Sequence, residues 1–141
     1  MSGYGASETR SDFALRGIGS IFEEVRSGQL LEIKNEIVAN SICETEYGGV
    51  YSSTGTLCLR VHSSEAADVK KESCYGDGGG PVAVYDEANK VWTLVGLIAG
   101  GSLDCDGRKP TIVTDIATYR PWIMEETKGC CNSRKMIVAR G

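Results

Sequence analysis

Glycine occupies 18 of the 141 positions and proline only three, and this imbalance constrains the fold more than any other feature. Glycine adopts positive φ without steric cost, so its abundance suits an all-β domain of short strands joined by tight turns. The hydrophobic pattern agrees. Leu30 to Val38 reads as a strand, with Leu31 and Ile33 alternating against Glu32 and Lys34. Leu57 to Val61 is short and strand-like; Pro81 to Tyr85 and Val91 to Ala99 are stronger. The polar run Asp86-Glu87-Ala88-Asn89-Lys90 between those two predicts a hairpin. Thr111 to Ile116 is a further strand. Tyr119 to Thr127 fits a final helix that holds Pro121 in its first turn. Ser20-Ile21-Phe22-Glu23 fits a capping box for a short helix over 20–27 with Ile21, Phe22 and Val25 inward, although Gly17, Gly19 and Gly28 crowd it. The expectation is a β-barrel or sandwich with one late helix.

The length corresponds to one domain. A net charge of −4 and scattered basic residues argue against a nucleic-acid partner. No apolar window of about 18 residues exists to span a membrane. The six cysteines are Cys43, Cys58, Cys74, Cys105, Cys130 and Cys131, and His62 is the only histidine. Without a Cys-x-x-Cys pair they do not suggest zinc, and no metal or cofactor is expected. A disulfide framework is the better reading, and it implies an oxidising, extracellular compartment. Met1-Ser2-Gly3-Tyr4-Gly5 has no charged-then-apolar leader, so a secretion signal is expected upstream.

The run Cys74-Tyr75-Gly76-Asp77-Gly78-Gly79-Gly80-Pro81 resembles the Cys-x-Gly-Asp-Ser-Gly-Gly-Pro signature of the trypsin/chymotrypsin-like serine proteases, with Gly78 at the nucleophile. Trp92-Thr93-Leu94-Val95-Gly96-Leu97-Ile98 resembles the family strand leading into the substrate-binding wall. Cys105, Pro110, Tyr119 and Trp122-Ile123 follow in family order. Ile37 to Cys43 resembles the segment that opens the family's intermediate helix, and Gly3-Tyr4-Gly5 its Gly-Trp-Gly. The resemblance covers about residues 3–125. It implies an all-β, antiparallel β-barrel of the trypsin-like fold: the second lobe only, its first strand largely missing, with a short C-terminal helix. The chain is thus expected to be one partial protease domain over 1–141, with a cysteine-containing tail at 126–141. The first barrel, which carries the family's histidine and aspartate, is expected upstream, because a barrel opened this way exposes an unpaired edge.

What the resemblance implies about chemistry is specific. In the family a serine attacks the scissile carbonyl while a histidine takes its proton; Gly78 has no side chain to attack with. Neither Ser73 nor Ser102 replaces it by position, and His62, in the loop from Arg60 to Lys71, reads as a solvent-facing loop residue rather than the triad histidine. The N–H groups of Gly76 and Gly78 match the oxyanion-hole donors, which without a nucleophile bind rather than transfer acyl groups. Asp77 matches the carboxylate that pairs with the new N-terminus after activation cleavage, and a buried carboxylate needs such a partner. Glu72 matches the pocket floor, with Ser73 beside it. Ala99, Gly100 and Gly101 match one wall, and Thr111 stands where open pockets have glycine, narrowing the entrance. The family pattern pairs Cys43 with Cys58 and Cys74 with Cys105; Cys130 and Cys131 stay unassigned.

Three functions follow as expectations. The first is a non-catalytic protease homologue, a pseudoenzyme that binds a protein or peptide as cofactor or decoy in an extracellular proteolytic cascade. The second is a serine endopeptidase of the same family, seen without its His/Asp lobe, against which Gly78 argues. The third is a disulfide-stapled structural module that is secreted.

Overall fold

The computed structural model describes residues 1–3, 30–63, 73, 76–102 and 108–128. The expected helix at 20–27 lies outside these residues. In chain order the elements are β1 (Ser2–Gly3), β2 (Leu31–Glu32), β3 (Asn35–Val38), α1 (Asn40–Tyr47), a 3₁₀ turn (Gly48–Val50), β4 (Thr56–Val61), β5 (Pro81–Asp86), β6 (Val91–Gly100), β7 (Thr111–Asp115) and α2 (Ile116–Glu126). Five strands form one antiparallel sheet in the order β3-β4-β7-β6-β5, and β1 pairs with β2 in a small ladder of its own. Among the described residues no ladder joins β3 to β5, so these two strands are the sheet's edges.

Strand alternation sorts the core into two clusters, one for each set of alternate side chains. Leu57 and Leu59 of β4, Val113 of β7, Ile98 of β6 and Val82 of β5 pack together, joined by Val95 and Met1. The intervening residues Cys58 and Ile112 pack with Val38 and with Cys43, Ile42, Tyr47 and Tyr51 from and after α1. A disulfide joins Cys43 to Cys58, so the helix is stapled to the second strand of the sheet. Tyr51 donates its hydroxyl hydrogen to Asn40 Oδ1 at 2.9 Å, and Tyr47 donates to the Pro110 carbonyl, fixing both ends of α1. Close contact between β6 and β7 needs Gly96, since a β-carbon there would collide with Val113 and lie 2.9 Å from the Thr114 carbonyl.

The hairpin forms as expected, with Asp86 opposite Val91. The Asp86 carboxylate accepts from the Asn89 side chain at 2.7 Å and from the backbone N–H groups of Asn89 and Ala88. Chiefly through the Asn89 amide, these bonds hold the carboxyl below its usual range. Two boundaries differ from the sequence reading. The strand expected from Leu30 to Val38 breaks in two, because the chain changes partner: Ile33 N–H donates to Met1 O, while Lys34 O accepts from His62 N–H, and Asn35 Nδ2 bonds the Ile33 carbonyl at the break. The final helix begins at Ile116, three residues early, because Asp115 caps it by accepting from Ala117 N–H at 2.9 Å and from the Thr118 hydroxyl. Pro121 therefore lies inside the helix rather than in its first turn.

The disulfide closes a loop of sequence separation 15, for which chain entropy gives about 3 kcal/mol. A Cys43→Ala/Cys58→Ala variant is expected to lose about 2–4 kcal/mol of unfolding free energy in urea denaturation, with α1 the first element to lose helical signal.

Candidate functional site

The loop from Gly76 to Gly80 joins the buried Ser73 to β5, and its shape follows from where its glycines are needed. Gly76 and Gly79 have φ of 91° and 80°, the left-handed region that side chains resist. Gly80 has ordinary φ but no room: a β-carbon there would lie 2.8 Å from the Asp77 carbonyl, 3.0 Å from the Ser2 carbonyl and 3.3 Å from Ile98 Cδ1. Backbone bonds lock this end of the loop to the sheet. Gly79 N–H donates to Ile98 O at 2.8 Å, Ile98 N–H to Gly80 O at 2.9 Å, and Gly80 N–H to Asp77 O at 2.8 Å.

Gly78 is different. Its φ is ordinary for any residue, it is exposed, and among the described residues nothing lies within 4 Å of where its β-carbon would stand. Neither conformation nor packing there requires glycine. The loop would present a side chain at 78 outward, unobstructed, and the residue present has none.

Asp77 is half-buried, with its carboxylate against Gly3 of β1; a β-carbon on Gly3 would collide with Oδ1 and lie 2.7 Å from Cγ. Ser73 and Thr111, the first residue of β7, meet inside the core. Their hydroxyls are 3.1 Å apart, and the residues are only 7% and 2% exposed, so each satisfies the other's polar group inside the core. Ala99 is exposed at the end of β6, with Gly100, Gly101 and Ser102 half-buried after it. A register irregularity between Ile98 and Gly100 shifts this end of the strand relative to β7. The structure thus brings Asp77 and Gly80 to β1, Gly79 and Gly80 to Ile98 of β6, and, separately, Ser73 to Thr111 of β7. His62 lies in the loop just beyond β4, partly exposed, where its backbone N–H donates to the Lys34 carbonyl. Glu72, Cys74, Cys105, Cys130 and Cys131 lie outside the described residues, as does the proposed Cys74–Cys105 pair. Among the described residues no cluster of three or more potential metal ligands forms.

The sequence profile of the Trypsin family matches residues 5–123. This chain belongs to the trypsin family. Over 101 residues it is 38% identical to transmembrane protease serine 11G of mouse, which takes in 70% of this chain and 22% of that protein. Over 93 residues it is 34% identical to human transmembrane protease serine 11B, taking in 65% of this chain and 21% of the relative. The chain therefore spans about a fifth of the curated relatives it matches. Among solved structures it resembles "neuropsin, a serine protease expressed in the limbic system of mouse brain", with a TM-score of 0.64 and 25% identity over 90% of this chain and 46% of that one. The antiparallel sheet with its late helix is thus a trypsin-like fold. Those relatives are named as transmembrane proteases; among the described residues here, no helix is long and apolar enough to cross a membrane.

Two substitutions test the loop. Gly78→Ser is expected to leave stability within about 0.5 kcal/mol, whereas Gly80→Ala is expected to cost about 1–3 kcal/mol by overpacking against backbone that cannot yield; chemical denaturation compares them. Thr111→Val leaves the Ser73 hydroxyl buried without its partner, so it is expected to cost about 1–3 kcal/mol in the same assay, while Ser73→Ala/Thr111→Val together cost less than the sum of the two single changes.

Proposed function

We propose that this trypsin-family chain is a non-catalytic homologue that binds a protein or peptide through the face carrying the 76–80 loop. One observation carries the reading: the loop keeps the glycines its shape needs, yet the exposed position that matches the nucleophile is Gly78, where shape needs no glycine. Acyl transfer requires an atom that attacks; backbone N–H groups can hold a carbonyl or carboxylate oxygen but cannot form the acyl bond. When the other members of the machinery remain, removal of triad side chains elsewhere leaves roughly 10³–10⁴-fold over water, which is small beside a working protease.

Ser73 and Thr111, at positions matching the specificity pocket, fill their space with each other's hydroxyls. That supports a shallow pocket suited to a small side chain. An extracellular setting is supported by the names of the relatives, transmembrane proteases, and by the Cys43–Cys58 disulfide. The share of the solved relative that is matched, 46%, supports placing this chain as the second lobe of a two-lobe protein, with the first lobe as one of its partners.

The test is a panel of extended peptides that vary one central residue, followed for cleavage by mass spectrometry and for binding by calorimetry. The expected result is saturable binding that favours small central residues, with no cleavage above the uncatalysed background. Turnover of any panel member, sensitive to a serine-directed phosphonate, would overturn the reading in favour of an endopeptidase.

A further inference from the structure

Glycine at 78 removes a side chain and also creates a reactive pair. Asp77 now begins an Asp-Gly step, one of two in the sequence; the other is Asp106-Gly107. In such a step the glycine's amide nitrogen can attack the aspartate's own carboxyl carbon and close a five-membered imide. Two features oppose that reaction in folded chains. A side chain on the second residue crowds the nitrogen, and a hydrogen bond to the amide hydrogen holds the nitrogen in place.

Position 78 lacks both, and the turn explains why its amide is left over. Gly80 N–H donates to Asp77 O at 2.8 Å, Gly79 has φ of 80°, and Gly78 has an ordinary φ. Residues 77–80 therefore form a type II turn with Gly78 and Gly79 at its centre. The amide of the fourth residue closes such a turn, and the amide of the second lies outside it. Gly79 N–H is taken by Ile98 O at 2.8 Å. Gly78 N–H is thus the one amide from 78 to 80 that donates to none of the described residues. Gly78 is also exposed, and among the described residues nothing lies within 4 Å of where its β-carbon would stand, so water reaches a ring formed there. Asp77 is half-buried, with its carboxylate against Gly3. The carboxyl must swing toward residue 78 to react, so the folded chain is expected to react more slowly than a free peptide of the same sequence.

We propose that Asp77-Gly78 is a site of spontaneous isomerisation, at which the glycine amide left unbonded by the turn converts Asp77 to isoaspartate through a cyclic imide. Gly78 N bonds to Cγ of the protonated Asp77 carboxyl, and the carboxyl hydroxyl leaves with the amide hydrogen as one water. A second water then adds to either imide carbonyl. Attack at Cγ breaks the new bond and restores aspartate. Attack at the main-chain carbonyl carbon breaks the original peptide bond, and the chain then runs through Cβ and Cγ with that carbon as a free carboxylate. One water is lost and one regained, so the step needs no oxidant and no other co-reactant. While the ring lasts, nitrogen 78 carries no hydrogen to donate. In the isoaspartate product the chain entering the turn is one methylene longer, and the Asp77 oxygen that Gly80 N–H grips belongs to a carboxylate off the main chain. A change in binding would follow only if the loop is the ligand-facing element, as proposed above; the isomerisation itself does not rest on that.

The test needs no ligand, so its outcome is separate from whether the chain binds peptides. The full chain is incubated folded in heavy-oxygen water and then mapped by proteolysis and mass spectrometry. Each opening of the ring inserts one heavy oxygen at residue 77, and isoaspartate blocks an aspartate-specific endoproteinase there. The expected result is heavy oxygen accumulating at Asp77 with the blocked fraction rising in step. In Gly78→Ser both are expected to fall by about tenfold, because a β-carbon crowds the attacking nitrogen. No heavy oxygen at Asp77 while Asp106 acquires it, equal incorporation in wild type and Gly78→Ser, or incorporation at Asp77 only once the chain is unfolded in urea would each overturn the proposal.

Discussion

Two backbone hydrogen bonds, from Gly79 to Ile98 O and from Ile98 to Gly80 O, join the glycine loop to the sheet, and most of what is distinctive in this molecule depends on them. They can form only if the loop's backbone comes within contact distance of β6, which in turn needs left-handed φ at Gly79 and no side chain at Gly80. Ile98 is at once the loop's anchor and a member of the central apolar cluster with Leu59, Val82 and Val113. The end of the loop at Gly79 and Gly80 is therefore held beside the core.

Against that background the residue at 78 stands out through chemistry rather than geometry. Every other glycine from 76 to 80 has a physical reason, either a positive φ or a neighbour too close for a methyl group; Gly78 has neither. On the proposed function, this is a trypsin-family loop that keeps its scaffold without the group that would attack a carbonyl. Function resides in sites rather than folds: the fold is trypsin-like, and at Gly78 the loop presents backbone only. The hydroxyls of Ser73 and Thr111 satisfy each other inside the core.

Much of the sheet was legible before any coordinates. β5, β6 and their hairpin follow from two apolar runs around a polar turn, and β4 and β7 from short alternating runs; all four sit within a residue or two of where the pattern puts them. What the pattern missed was set by partners distant in sequence. Leu31 and Ile33 alternate as one strand would, yet the partner changes from β1 to β4 just after Ile33, and only the positions of Met1 and His62 decide that. Asp115 read as the end of a strand because its role as a helix cap depends on where the chain turns. The glycine-rich run was visible at once, but which glycines answer to φ and which to crowding required Ser2, Gly3 and Ile98 in place. No local signal announces the contact of Gly3 with Asp77, since 74 residues separate them; a glycine in a short strand was its one trace.

The central claim is that this trypsin-family loop binds without forming an acyl bond, and a burst experiment addresses it most directly. Excess p-nitrophenyl ester is mixed rapidly with the protein at known concentration, and released p-nitrophenol is followed from the first milliseconds. The account predicts a linear trace with no initial release above the ester's own hydrolysis, in the wild-type chain and in Gly78→Ala alike. A burst approaching one equivalent per chain, accompanied by an acylated species in the intact mass, would contradict it.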